Sequence, residues 1–108
     1  VEDAEKLYVK MQKTYPKEFT YLYYHARMLN ELERYKDAEK KARLAYKYSY
    51  GDNRLRATEV LATTILKLGR ENEAKKIITN TIKSTKMPED PTIRTHRYVK
   101  SLQELINR

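Results

Sequence analysis

The sequence has no cysteine and no tryptophan, only two glycines and three prolines, and no long apolar run. Without cysteine the chain has no disulfide, no thiolate metal ligand and no thiol nucleophile. A membrane-spanning helix needs about 18 consecutive apolar residues, so no membrane span is expected. The chain is rich in alanine, leucine, glutamate, lysine and arginine, which favour helix, and it shows no alternating strand pattern. The 108 residues therefore predict one all-α domain.

Positive charge is in excess, with 23 lysines and arginines against 15 aspartates and glutamates and a net charge of +8. Such an excess raises the question of nucleic-acid binding. The basic residues are spread over both halves and interleaved with acidic ones. No zinc finger, glycine-rich phosphate loop or aromatic RNA-binding motif accompanies them. We interpret them as solvated helix faces and expect no specific nucleic-acid binding.

Apolar residues recur at helical spacing in six segments, of which the first three lie before Gly51. The first segment covers residues 2–14 and is ended by Pro16, whose ring excludes helical geometry from the residue before it. The second runs to about Glu33 and the third to about Tyr48. Gly51 is expected to close the third helix in a left-handed conformation.

The last three helices have recognisable start and stop residues. Asp52 or Asn53 is expected to cap the fourth helix, which Gly69 ends. The fifth helix follows, and residues 86–91 then form a linker. Asp90 is expected to cap the sixth helix with Pro91 at its first position, and that helix runs almost to the end of the chain.

Small residues recur at a fixed spacing along these helices. Ala26 and Ala62 are 36 residues apart, and so are Ala38 and Ala74. Where two helices of a hairpin cross closely, a side chain larger than a methyl group would push their axes apart. We therefore predict that Ala26 faces Ala38 and that Ala62 faces Ala74. Ala4 precedes Ala38 by only 34 residues, so one unit has two extra residues, which we place in a longer loop around positions 50–53.

This arrangement resembles the tetratricopeptide repeat, a helix–turn–helix unit of about 34 residues with small residues at the hairpin crossing. The resemblance implies a right-handed superhelix of antiparallel hairpins. It divides the chain, as part of a longer protein, into a half repeat (1–16), two repeats (17–50 and 51–86) and a C-terminal capping helix (90–108). His25 and Glu33 depart from the family pattern, which usually has leucine and glycine there. The matching residues are Ala4, Tyr8, Met11 and Pro16, then Ala26, Leu29, Tyr35, Ala38 and Ala45, then Leu61, Ala62, Ile65, Gly69, Ala74, Ile78 and Thr81.

The resemblance also implies a function, because stacked units of this family bind a peptide or protein in a concave groove formed by their first helices. Tyr23 is the expected apolar anchor, and Arg27, Arg56 and Lys67 favour an acidic or extended partner. Tyr23, Arg27 and Val60 stand where chaperone-tail receptors of the family have lysine or asparagine, so that partner is not expected. The residues expected at the groove are Tyr23, Arg27, Asn30, Glu31, Arg56, Glu59, Thr63, Leu66 and Lys67.

Three tyrosines that lie within about one turn of the second helix add to this surface. Tyr21, Tyr23 and Tyr24 cannot all point inward, because neighbours on a helix are about 100° apart. At least one is therefore expected to face outward, where tyrosine is enriched at interaction surfaces.

No enzyme activity, metal or cofactor is expected, since no nucleophile is paired with a base and neither histidine has a second ligand at metal-binding spacing. His25 is expected to be packed and hydrogen-bonded within an apolar face. A second function remains open, that of a non-catalytic helical appendage of a larger enzyme. The runs at 48–57 and 87–98 resemble helical-repeat tails found behind thioredoxin-like domains of secreted bacterial proteins.

The alanine crossing gives a first testable prediction. Ala62→Leu should overpack the helix pair and lower the free energy of unfolding by about 1–3 kcal/mol. Lys67→Ala, a surface change on the same helix, should alter it by less than about 0.5 kcal/mol. Denaturant melts of both variants measure the difference, and equally small effects would remove the argument for a close crossing.

Overall fold

The computed structural model describes residues 2–107, and the apolar stripes of the sequence form helices throughout this range. No strand is present among these residues, so the predicted all-α fold is confirmed. Short linkers join the helices, the longest of them from 85 to 93. The six helices are α1 (Glu2–Thr14), α2 (Phe19–Glu31), α3 (Tyr35–Tyr48), α4 (Asn53–Lys67), α5 (Glu71–Ser84) and α6 (Arg94–Ile106).

Side-chain hydrogen bonds fix the relative directions of the helices. The hydroxyls of Thr58, early in α4, and Thr81, late in α5, are 3.1 Å apart, so these helices run antiparallel. Thr64, late in α4, donates to Asn30, late in α2, at 2.9 Å, so these two run parallel. Each helix packs against the next one in sequence, and α4 also packs against α2 and α6. The chain therefore runs up and down, with α4 at the centre.

The core lies between the helices that surround α4. Large apolar side chains from α2, α4, α5 and α6 fill it, including Leu22, Leu55, Ile65, Ile78 and Leu102. The four alanines predicted at the helix crossings have no exposed surface at all. By contrast, α1 contributes no buried residue. The two central hairpins are therefore held by apolar packing, whereas α1 lies on the outside.

The turns that end α2 and α4 have the same geometry, 36 residues apart. Glu33 and Gly69 both have positive φ, 61° and 83°. In each turn the amide of the next residue bonds to the carbonyl five residues before it, at 2.9 Å and 3.1 Å. This is the pattern that closes helices through a left-handed residue. Gly69 ends its helix as predicted, and Glu33 adopts the glycine conformation although it has a side chain.

Arginine ion pairs join each of these turns to the helix before the hairpin. Arg34 binds Glu5 of α1 at 3.1 Å, and Arg70 binds Glu39 of α3. Glu5 and Glu39 are 34 residues apart, the same spacing as that of Ala4 and Ala38. The pairs are partly exposed, so they set the register between hairpins more than they add stability.

The start of α4 differs from the prediction in two ways. Asp52 precedes α4, but its carboxylate accepts hydrogen bonds from the Thr95 hydroxyl at 2.8 and 2.9 Å and gives no side-chain cap. The linker before α4 has four residues, as many as the one before α2, so the loop is not longer. The two extra residues instead extend α4 at its N-terminus, through Asn53 and Arg54. Gly51 is left-handed as predicted, with φ 56°.

The start of α6 is also later than predicted. The Asp90 carboxylate accepts hydrogen bonds from the Thr92 amide at 2.9 Å and the Thr92 hydroxyl at 2.7 Å. These bonds close a local turn that includes Pro91, and α6 begins only at Arg94. Asp90 therefore stabilises the linker rather than capping the helix.

The matched turns give a prediction about Glu33. Glu33→Gly should raise the free energy of unfolding by about 0.5–1 kcal/mol, because glycine adopts positive φ without strain. Gly69→Ala should lower it by about 1 kcal/mol. A methyl group at Gly69 would meet no atom within 4 Å, so the backbone alone would account for that loss. Thermal or denaturant melts test both, and a destabilised Glu33→Gly protein would contradict the left-handed assignment.

Candidate functional site

Most of the predicted groove residues meet in one cleft between α2 and α4. The cleft has a volume of about 310 Å³. Six of the nine residues expected at the groove line it, and Arg56, Leu66 and Lys67 do not. The full lining is Tyr23, Arg27, Asn30, Glu31, Glu59, Val60 and Thr63.

The two walls of the cleft are tied together at one point. The Thr64 hydroxyl donates to Oδ1 of Asn30 at 2.9 Å and lies 2.8 Å from the carbonyl oxygen of Val60. Thr64 is fully buried, so this bond is shielded from water. It fixes the spacing of α2 and α4 along the cleft and orients the Asn30 amide. The cleft is therefore a built feature of the helix pair.

Tyr23 forms the floor of this cleft. Only 7% of its surface is exposed, so a partner could reach no more than an edge of the ring. Phe19 stacks on it with ring centroids 5.1 Å apart. The guanidinium groups of Arg56 and Arg27 lie 4.6 Å and 5.6 Å from its centroid, in cation–π contact. Arg56 is not part of the cleft lining but is held beside it by this ring.

Charge around the cleft is mixed, but its cations are available. Neither Arg27 nor Arg56 forms an ion pair with a carboxylate within residues 2–107. Glu31 and Glu59 contribute two carboxylates to the lining. Lys67 is exposed one helical turn beyond Thr63 and does not line the cleft. An approaching anion would thus meet two unpaired arginines on one tyrosine ring.

A second cleft, which sequence reasoning missed, continues this surface towards α1. Its volume is about 430 Å³, and it shares Arg27 and Glu31 with the first. Tyr24 lines it and is exposed, which confirms that at least one of the three neighbouring tyrosines faces outward. Tyr8 supplies an aromatic wall from α1. The pairing of α1 with α2 creates this cleft, and no local pattern in the sequence marks it.

His25 is packed and hydrogen-bonded, as predicted. It is buried, with Nδ1 2.9 Å from Nε2 of Gln12 and Nε2 3.0 Å from a carboxylate oxygen of Glu5. Lys41 donates to Oε1 of Gln12 at 2.7 Å, which orients the amide so that its nitrogen donates to His25. His25 Nε2–H then donates to Glu5, which also accepts from Arg34. These polar bonds attach α1 to the rest of the molecule.

The bonds to Glu5 also affect its ionisation. The hydrogen bond from His25 and then those from Arg34 hold the pKa of the Glu5 carboxyl below its ordinary value. The ionised form is thereby favoured in the folded protein. The charge on Glu5 therefore contributes to stability, because it strengthens the bonds to His25 and Arg34 that hold α1 in place.

Within residues 2–107, no group of three or more histidine, cysteine, aspartate or glutamate side chains is placed to hold a metal ion. The helices in that range are all too short or too polar to cross a membrane. Comparison with known proteins found no match, whether to a protein-family model, to a characterised protein or to a solved structure.

The lowered pKa of Glu5 gives a prediction with a definite sign. A carboxyl whose folded pKa lies below its unfolded pKa contributes stability at higher pH and loses it as the pH falls through the folded value. The unfolding free energy of the native chain should therefore fall between about pH 5 and pH 3, and this fall should be smaller in Glu5→Gln. Urea melts at both pH values measure it.

Glu2→Gln is the matched control for this experiment, because Glu2 is exposed on the same helix. It should show the same acid loss as the native chain. If Glu5→Gln lost as much stability on acidification as Glu2→Gln, the bonds from His25 and Arg34 would not be the cause.

Proposed function

We propose that this chain is a protein-interaction module of tetratricopeptide-like hairpins, which binds an extended, acidic peptide segment. In this proposal α2, α4 and α6 are the first helices of successive units, and they face the groove. Their parallel directions agree with it, as do the equivalent turns at Glu33 and Gly69. The right-handed superhelix is part of the same proposal.

The cleft between α2 and α4 supports this function most directly. Residues that the family resemblance assigns to a groove meet there, although they come from two helices about 36 residues apart in sequence. The joined clefts beside α1 and α4 give an elongated surface that suits a peptide better than a compact small molecule. The unpaired Arg27 and Arg56 favour acidic side chains in that peptide.

The buried position of Tyr23 decides how the proposal is tested. Tyr23→Ala would remove contacts with Phe19 and Arg56 and lower stability as well as binding. Thr63 and Arg27 are better positions, because both line the cleft and neither is fully buried. Lys40 is exposed on α3, away from the cleft, and serves as the control.

The experiment is selection of short random peptides against the folded chain, followed by affinity measurements with the variants. Selected peptides should be enriched in aspartate and glutamate. Thr63→Trp should fill the cleft and Arg27→Ala should remove a cation, and each should weaken binding about tenfold or more. Lys40→Ala should leave affinity nearly unchanged. A greater loss with Lys40→Ala than with Thr63→Trp would move the binding surface to the other side of the molecule.

A further inference from the structure

Charge is segregated between the two ends of the helix array. The up-and-down course places linkers 15–18, 49–52 and 85–93 at one end, and the Asp52–Thr95 bond joins the second linker to the start of α6. We call these linkers, with the four helical residues on either side of each, the loop end. The opposite end consists of turns 32–34 and 68–70 with the four helical residues on either side of each. It also includes the first four residues of α1 and the last four of α6. The loop end has nine basic and four acidic residues, whereas the opposite end has four basic and nine acidic ones.

Ion pairing differs between the ends as well. Every ion pair among residues 2–107 belongs to cations outside the loop end: His25, Arg34, Arg43, Arg70 and Lys75. None of the nine basic residues at the loop end pairs with a carboxylate of the described residues. Several rest on tyrosine rings instead, such as Arg54 at 4.4 Å from the Tyr46 centroid. Positive charge at the loop end is therefore not neutralised within this part of the chain.

Helix electrostatics explain only a third of these cations. Lys13, Lys47 and Lys83 lie in the last turns of α1, α3 and α5, where a cation is favourable to the helix dipole. Arg54 and Arg94, by contrast, lie in the first turns of α4 and α6, where a cation is unfavourable. Neither of those first turns has an acidic residue. Arg54 donates to the Tyr46 hydroxyl at 2.7 Å, but the helix dipoles gain nothing from either arginine. Their positions at helix N-termini therefore favour an anionic partner.

Exposed apolar side chains lie among these cations. Tyr50 is 70% exposed in the second linker, and Ile93 is 44% exposed in the third, together with Met87. Tyr15 is exposed in the first linker. Tyrosine and aliphatic side chains beside lysine and arginine are typical of surfaces that enter the headgroup region of a bilayer. Ile93 and Met87 have no ring on which a base could stack, so they favour lipid over single-stranded nucleic acid.

We propose that the loop end docks on an anionic lipid surface, with Tyr50 and Ile93 inserted among the headgroups and the basic residues held over the lipid charges. The acidic end does not oppose this. Helix α4 has 15 residues, so the linker and the turn at its two termini are about 20 Å apart, more than twice the screening length of about 8 Å at physiological salt. The peptide cleft lies along the helices and meets the loop end at Arg56, at the start of α4.

The test is sedimentation of the full chain with vesicles of phosphatidylcholine, with and without phosphatidylserine. At about 0.15 M salt, binding should be about tenfold or more tighter to the anionic vesicles. Lys17→Gln with Lys86→Gln should lower it by about tenfold. Lys36→Gln with Lys40→Gln, which removes the same charge outside the loop end, should have a much smaller effect. Circular dichroism confirms that each variant is folded.

The apolar part of the proposal is tested at constant charge. Tyr50→Ala should weaken vesicle binding about threefold or more, whereas Leu32→Ala, an exposed residue of the opposite end, should not. Equal binding to both vesicle types, or equal loss from the two lysine pairs, would overturn the proposal. So would tight binding of a single-stranded oligonucleotide at the same salt without vesicle binding, which would make the partner a nucleic acid.

Discussion

The complete burial of four alanines at the predicted helix crossings is the constraint on which the fold depends. Ala26, Ala38, Ala62 and Ala74 have no exposed surface, so a larger side chain at any of them would have to displace packed atoms. Helix α4 contacts α2 and α6 as well as its neighbours in sequence. Stability is therefore concentrated in the hairpins. Helix α1 has no buried residue and depends on polar bonds, so it is the element most ready to open locally.

Much of the fold could be predicted from the sequence because its signals are local. The apolar stripes and Pro16 placed the helices, and the recurrence of alanine gave the repeat. The predicted cap at Asp52 failed because of a partner distant in sequence, since Thr95, 43 residues later, donates to its carboxylate. The cap at Asp90 failed because Thr92, two residues later, closes a local turn with it. The family resemblance assigned Thr63 to the groove, and Thr63 lines the cleft, but the contact of Tyr23 with Arg56 from another helix is shown by no local pattern.

The turns that end α2 and α4 have the same backbone conformation, although their residues differ. Glu33 does not look like a helix terminator, yet it has the positive φ of Gly69, at the equivalent position. The surrounding turn determines this, because the same backbone bonds close both helices. Glutamate there carries a steric cost that glycine does not. The exposed side chain and the neighbouring Arg34–Glu5 pair are compatible with that conformation, so the two turns share one geometry although one has glutamate where the other has glycine.

Both candidate surfaces follow from the direction of the same helices. Because α2 and α4 run parallel, their side faces form the cleft, while their N-termini lie together at the loop end. Arg56 lies where the two surfaces meet, in the first turn of α4 and against the ring of Tyr23. Its guanidinium also donates to Asn53 at 3.3 Å, which ties it to the helix start. An anion at either proposed surface would therefore lie near the charge of this arginine, which is the one cation that the two surfaces share.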